Sequence, residues 1–224
     1  MQRIELDGFT YVRSVISSDT VIFLSDLIHE MVINRSPNVQ FVQDEKLIPR
    51  KAKDVHLHYP EIFSNGRLDN AVGIAKSYFD TNEVTLFAST AWLKPAGGTP
   101  KPPHQDAAHW THVIPTDFLT VWIALDPSTV DNGGVHYLPM GGDRTLRRHV
   151  RGDVDYVLDT PVQKALGLTE DLQPGDASVH TGFAIHWSEP NTSTRPRRGL
   201  ALAFAHPDID SSDHPGMFDS FLRL

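Results

Sequence analysis

The sequence contains no cysteine. Disulfides, thiolate metal sites and cysteine nucleophiles are therefore excluded. It also lacks a long apolar run. The longest, FLTVWIAL at 118–125, falls far short of the ~20 residues that a membrane helix needs. An excess of basic residues is missing too. The formal net charge is −8 with histidine neutral, which disfavours nucleic acid and anionic membrane as partners. The opening MQRIELDGFT has no apolar core of the kind a secretory leader carries. No internal repeat, low-complexity tract or linker divides the chain. These absences leave a soluble chain, expected in the cytoplasm. Its 224 residues suit one domain spanning 1–224, large enough to bury a core.

What the sequence has is histidine, 12 in all, several of them in the middle of the chain. The N-terminal part, roughly 1–80, reads as mainly helical. GFTYVRSVI at 8–16 has strand-forming residues. SSDTVIFLSDLIHEMVI at 17–33 opens on cap residues and repeats apolar side chains at helical spacing. A second helix is expected at 70–79. From about 83 to 206 short β-rich runs alternate with proline and glycine turns. They include EVTLFASTAWL, FLTVWIAL, GGVHYLPM, DASVHTG and RGLALAFAH, separated by KPAGGTPKPP, DNGG and QPGD. That pattern predicts a mainly β sandwich or barrel of the jelly-roll class, with flanking helices. Segment 151–172 lacks a strand pattern and reads as an insertion with a short helix near PVQKALGL. The basic run RTLRRHVRG at 144–152 reads as a solvated loop.

In KPPHQDAAHW, His104 and Asp106 stand two apart. On an extended chain such residues share a side, so an imidazole and a carboxylate can meet at one ion. Alone the spacing is weak. It recurs at His206 and Asp208, where a surface turn accounts for it. His186 lies 80 residues beyond Asp106, near the end of a β-rich run. Two histidines and one carboxylate form the facial triad that leaves positions open on non-haem Fe(II), although zinc accepts the same ligands. His180, six residues before His186, is a rival for the distal place. Arg197 follows His186 by eleven residues, across a turn that would return it beside the histidine. Its guanidinium fork suits a carboxylate, and Ser188 can add a hydroxyl. Arg195 and Arg198 share the turn, which could equally be solvated. Asn191 is placed to fix it.

PPHQDAAHW, DFLTVWIALDPSTVDNGGVHYLPMGGDR and PGDASVHTGFAIHWSEPNTSTRPRRGLALAF together resemble the phytanoyl-CoA dioxygenase family of Fe(II)/2-oxoglutarate oxygenases. The opening DGFTYVRSVISSDTVIFLSDLI resembles that family's first strand and helix. The match is weakest at 35–60 and 151–172. LPMGGDR stands where the family often has a Gly-Ser-His segment, a departure outside the expected ligands. The resemblance implies a double-stranded β-helix, a cupin-like jelly roll with helices outside. It implies iron on His104, Asp106 and His186, and 2-oxoglutarate on Arg197 and Ser188. Trp122 would line the co-substrate site, and Thr90 in STAWLK falls at a further contact of the family. His186 is preferred over His180 because it begins the run HxSxxNxS with arginine at +11; His180 then reads as a buried neighbour. Retention of Asp106 favours oxygenation or oxidative rearrangement over halogenation, since related halogenases lack that carboxylate.

The reaction so implied consumes 2-oxoglutarate and O2, releases succinate and CO2, and most simply hydroxylates a C–H bond. A small-molecule substrate is expected, of natural-product or amino-acid type. His109, Trp110, His112, Trp187, Arg147 and Arg148 are candidates to face it. Two other readings use the same ligands: a cupin-type metalloenzyme without 2-oxoglutarate, and a non-catalytic jelly-roll binding module.

Overall fold

The structure is a computed structural model, and it describes residues 2–43, 47–110, 117–152, 156–209 and 221–224. The chain opens with α1 (Gln2–Asp7), β1 (Phe9–Val12) and α2 (Ser18–Ile33). Ser17 caps α2 by accepting from the Thr20 amide, as its position before the apolar repeat predicts. Leu24, Leu27, Ile28 and Met31 then form the buried stripe. A hairpin follows, β2 (Val39–Gln43) and β3 (Leu47–Lys53), then the short α3 (Val55–His58) and α4 (Asp69–Phe79). The remaining strands are β4 (Thr85–Lys94), β5 (Lys101–His104), β6 (Phe118–Ala124), β7 (Val135–Tyr137), β8 (His149–Arg151), β9 (Tyr156–Leu158), β10 (Ala177–Thr181), β11 (His186–Ser188), β12 (Arg197–Ala205) and β13 (Leu222–Arg223). No helix among the described residues is long and apolar enough to cross a membrane.

The larger sheet is antiparallel, ordered β1-β10-β6-β12-β4-β3-β2, with β13 also on β4. The smaller sheet is β5-β11-β7. Every residue of β6 is buried, because β6 lies in mid-sheet with packing on both faces. Side chains alternate along a strand, and the two faces differ in chemistry. Leu119, Val121 and Ile123 of β6, Val179 of β10, and Leu200, Leu202 and Phe204 of β12 join the buried stripe of α2 in one apolar core. The opposite face carries Thr120 and Trp122 of β6, His180 of β10, Ala201 of β12, and Trp92 and Lys94 of β4, all lining one cavity. The smaller sheet closes that cavity with Tyr137, His186 and Ser188. The mainly β jelly-roll expectation with flanking helices describes this arrangement.

Three local expectations differ from what is observed. Beyond the expected first strand β1, the first 80 residues hold two strands that were not expected, since β2 and β3 join the larger sheet. VQFVQ and LIPRKAK carry many polar residues because β2 is an edge strand and β3 lies next to it, so apolar alternation is faint. Within 151–172, β9 pairs with β8 as a two-stranded ribbon. The helix expected near PVQKALGL is a single 3-10 turn at Lys164–Leu166.

Candidate active site

β5 and β11 are paired so that His104 lies opposite His186. Asp106 begins the turn that leaves β5. One ligand atom from each of the three falls within 4.8 Å of the others. The Asp106 Oδ1 atom is 3.5 Å from His104 Nε2 and 3.6 Å from His186 Nε2. Both imidazoles are oriented by their own backbone. His104 Nδ1 lies 3.0 Å from the Pro102 carbonyl and His186 Nδ1 lies 3.0 Å from that of Ala184. Each Nδ1 therefore donates its proton, leaving the Nε2 lone pair aimed at the shared centre.

The second carboxylate oxygen is held separately. His180 Nε2 donates to Asp106 Oδ2 at 3.2 Å, and Thr120 Oγ1 donates to the same oxygen at 3.4 Å. Tyr137 donates to His180 Nδ1 at 3.1 Å and stands 2.8 Å from Ser178 Oγ. This chain crosses from the larger sheet to the smaller one. It places His180 behind Asp106, as a buried neighbour and not in the three-atom cluster. Burial works against the Asp106 charge, but the imidazoles of His186, His104 and His180 outweigh it and hold the carboxyl well below its usual range. Burial, with nearby Lys101, lowers His104 to about 4. Burial, with His104 beside it, also pushes His186 well below the usual imidazole range. Two neutral imidazoles and one ionised carboxylate are the donor set that suits Fe(II).

The other end of the cavity is cationic. Arg197 opens β12 directly opposite Lys94, the last residue of β4. Both are buried. Lys94 Nζ donates to Ser188 Oγ at 2.8 Å and to the Glu189 carbonyl at 2.5 Å. Arg197 Nη2 donates to the Gly133 carbonyl at 3.0 Å, while its buried Nε has no hydrogen-bond partner among the described residues. The guanidinium carbon sits 5.1 Å from the Trp122 ring centroid. Gly199 makes room for that ring, since a Cβ there would stand 2.1 Å from Trp122 Cζ2. Gly133, at φ +78°, brings its carbonyl into the pair where any side chain would strike Glu189 O. Burial lowers Lys94 to about 7, with the neighbouring Arg197 charge adding to the effect. Burial lowers Arg197 to about 10, so it stays charged at neutral pH. Two buried like charges side by side, one with an orphaned donor, are complementary to a carboxylate.

Of the residues the sequence singled out, His104, Asp106, His186, Ser188, Trp122 and Arg197 line the one cavity. Thr90 lies opposite Ala201, two residues before Trp92, and is not among the lining residues. Arg195 is exposed, and Arg198 turns away to a paired contact with Asp126 at 2.7 and 2.8 Å. Asn191 braces the turn, its side-chain amide donating to the Arg195 carbonyl at 2.7 Å while its oxygen accepts from Ser193. Trp187 lines the cavity and stacks on His136. His109, Trp110, Arg147 and Arg148 do not line it, and His112 lies outside the described residues. His206 and Asp208 form an exposed local turn. The basic run is exposed apart from the half-buried Leu146, His149, Val150 and Gly152, in keeping with a solvated loop. Sequence reasoning missed Lys94. Lys94 shares a strand face with Trp92 at spacing two, but that spacing carries no sign of burial. Sequence reasoning also missed Gln105, whose side chain donates to the Thr145 and Phe183 carbonyls and accepts from the Arg147 amide.

The sequence model of the phytanoyl-CoA dioxygenase (PhyH) family matches residues 4–199. The chain belongs to this family. It is thereby an Fe(II)/2-oxoglutarate-dependent dioxygenase, with O2 as oxidant. Among curated relatives, a probable alpha-ketoglutarate-dependent hypophosphite dioxygenase of Stutzerimonas stutzeri is 29% identical over 92% of this chain and 78% of its own. Methylphosphonate hydroxylase of Gimesia maris is 25% identical over 66% of this chain and 54% of its own. Among solved structures, EvdO2 from Micromonospora carbonacea var. aurantiaca, complexed with 2-oxoglutarate, superposes with a TM-score of 0.77 at 23% identity. That likeness covers 96% of this chain and 92% of EvdO2, and it establishes the shared fold.

Proposed function

We propose that His104, Asp106 and His186 hold Fe(II), that Arg197, Lys94 and Ser188 hold 2-oxoglutarate, and that the enzyme hydroxylates a small molecule. The observation that carries this is one cavity with two unlike ends: a neutral-imidazole and carboxylate cluster within 4.8 Å at one, and two buried cations at the other. A ligand that chelates a metal and also carries a distant carboxylate answers both. Bound there, Fe(II) and 2-oxoglutarate supply the oxidising equivalent, with O2 consumed, succinate and CO2 released, and one oxygen atom placed on the substrate.

The protein's own groups position and shield. The backbone carbonyls of Pro102 and Ala184 fix both ligand tautomers. His180 and Thr120 occupy one oxygen of Asp106, which directs the other toward the histidines. Arg197 and Lys94 orient the co-substrate by its far carboxylate, with Trp122 beneath the guanidinium. Trp122, Val135, Tyr137 and Trp187 exclude water around the reacting centre. The cavity is about 270 Å³, at the lower edge of the ~300–1,000 Å³ usual for ligand sites. Shared with 2-oxoglutarate, it suits a small substrate. The names of the Stutzerimonas and Gimesia relatives, with hypophosphite and methylphosphonate, support the same size class. A location in the cytoplasm and a single domain over 1–224 complete the proposal.

The test requires no substrate. Anaerobic Fe(II) and 2-oxoglutarate are added to the purified protein and the weak visible charge-transfer band of the chelate is sought. The band is expected in the native protein and absent in His186→Ala. Metal bound with no band in the native protein would leave the cupin-type or the non-catalytic reading in its place.

A further inference from the structure

Asp106 lies where the strand ladder has ended. β5 and β11 are short, and their pairing runs from Lys101 with Ser188 to His104 with His186, with a register shift between. Asp106 is two residues beyond that last pair, in the turn that leaves β5. The ladder therefore cannot hold Asp106 against the segment that leads into His186. Two hydrogen bonds do so among the described residues. The Ala107 amide donates to the Gly182 carbonyl at 2.9 Å. The Gln105 side-chain amide donates to the Phe183 carbonyl at 2.7 Å. The next carbonyl along, that of Ala184, is the one that orients the His186 imidazole.

Gln105 stands between two of the three ligands in sequence and faces away from both. His104 and Asp106 line the cavity and Gln105 does not, as alternation along an extended segment requires. Its side chain is buried, at 1% exposure, and fully used. Besides Phe183 it donates to the Thr145 carbonyl at 2.9 Å, and its oxygen accepts from the Arg147 amide at 2.8 Å. Two carbonyls and one amide admit a single orientation of the carboxamide. The main chain adds a second tie. The Gln105 amide donates to His149 Nε2 at 3.0 Å, and His149 Nδ1 donates to the Arg147 carbonyl at 2.7 Å. The loop 143–149 is thus bonded to the backbone between His104 and Asp106 through both the side chain and the main chain of Gln105. Within that loop Leu146 packs against the apolar cluster that holds Ala107 and Phe118. The ion pair of Arg144 with Asp117 is solvent-exposed, a kind that contributes little. Buried bonds to a carboxamide lose more when broken, because the partners left behind are unsatisfied.

We infer that Gln105 is a positioning residue of the oxygenase site: it fixes Asp106 relative to His186 and couples both to the loop 143–149, so that a metal on the three ligands and an ordered loop stabilise each other. Such coupling is reciprocal. What holds the loop tightens the metal, and the metal steadies the loop. This rests on the oxygenase reading above, and the two can fail separately. Anaerobic Fe(II) titration and amide hydrogen exchange are applied to the native protein, Gln105→Met, Gln105→Glu and His149→Ala. Methionine keeps the length and loses all three side-chain bonds. Glutamate keeps the acceptor for the Arg147 amide and sets a carboxylate against two carbonyls. Fe(II) affinity is expected to fall on the order of tenfold in either, the scale of groups that stand behind metal ligands, and by less in His149→Ala. Affinity for 2-oxoglutarate at saturating Fe(II) should stay within about threefold of native, because Gln105 shares no partner with Arg197 or Lys94. In the native protein Fe(II) should slow exchange of the amides of 144–149, and in Gln105→Met saturating Fe(II) should leave them fast. Native Fe(II) affinity in Gln105→Met would overturn the inference. So would exchange over 144–149 that Fe(II) does not slow in the native protein. Equal losses of Fe(II) and 2-oxoglutarate affinity would overturn it too, since they mark a general loosening of the fold. Should neither Gln105 variant fold, native Fe(II) affinity in His149→Ala decides against it. A native protein that binds no Fe(II) would instead remove the oxygenase reading, and this inference with it.

Discussion

The two ends of the cavity are built on opposite terms. At the histidine end the protein bonds the groups behind the three ligand atoms and leaves only those atoms facing the centre. Both Nδ1 atoms donate to carbonyls two residues back, and Asp106 is bonded through His180 to Tyr137 and Ser178. At the arginine end the protein stops short. Two buried cations face each other across β4 and β12, one with an Nε that has no hydrogen-bond partner among the described residues. The first end is preorganised by the fold alone and presents lone pairs to a cation. The second keeps electrostatic repulsion in reserve and presents donors to an anion. One molecule that joins a chelating group to a distant carboxylate uses both at once.

The largest expected effect comes from removing the negative charge at the histidine end. Asp106→Ala leaves two imidazoles and no counter-charge, and the donor set no longer suits Fe(II). Coupled release of succinate and product should fall to background, measured with any accepted substrate. Native-like turnover would separate the reaction from this triad. At the other end, Arg197→Ala removes one side of a buried charge pair with the co-substrate. Such losses cost about 2–5 kcal/mol, and 1.4 kcal/mol is tenfold. The KM for 2-oxoglutarate should rise on the order of a hundredfold with iron affinity little changed. An unchanged KM would assign the far carboxylate to Lys94 alone.

A smaller effect is expected from the residue that links the ends of the hydrogen-bond chain. His180→Ala leaves the ligand oxygen of Asp106 in place but removes the donor that orients it. Partners of metal ligands typically contribute 10- to 100-fold in affinity, so Fe(II) affinity should fall about tenfold, with 2-oxoglutarate able to restore the band at high metal. Complete and irrecoverable loss of metal binding would make His180 a ligand in its own right and not a neighbour.

The difference between the ends also explains what the sequence could reveal. The histidine end was legible because its parts are near in sequence or carry a distinctive pattern: His104 and Asp106 two apart, and His186 with Arg197 at +11. Even so, only the register of β5 with β11 decides between His186 and His180. His180 points the same way from the other sheet and meets the other oxygen of Asp106. Lys94 was hidden because a lysine at a strand end before a proline-glycine turn looks solvated, and burial there depends on β12 lying alongside. Strands β2 and β3 were hidden for a related reason. At and beside a sheet edge polar residues replace the apolar alternation that marks a strand. Helix α2 was legible in full, cap and stripe together, because both signals are local.

Lys94→Met sharpens the comparison most finely, since it should stabilise the protein while weakening its function. In the ligand-free protein the ammonium is held beside Arg197, and burial and that charge outweigh the attraction of Glu189 and lower it to about 7 from 10.5. At pH below about 7 the lysine is charged in both folded and unfolded chains, and the folded state carries the full penalty. Between about 7 and 10.5 the unfolded chain retains the extra proton, so stability rises with pH and the penalty fades. Methionine fills similar space without charge. Its melting temperature, free of ligand, should therefore exceed the native value at pH 6.5 by about 2–4 °C for each 1 kcal/mol relieved, with the advantage gone near pH 10. Binding of 2-oxoglutarate moves the other way. Native affinity should decline as pH rises from 6.5 to 8.5 and Lys94 loses its proton. The variant should bind about tenfold more weakly at pH 6.5 and show no such decline, because only Arg197 remains and it stays charged. A variant that is less stable at every pH, with unchanged pH dependence of binding, would show that Lys94 serves Ser188 and the Glu189 carbonyl as a structural brace and takes no part in holding the anion.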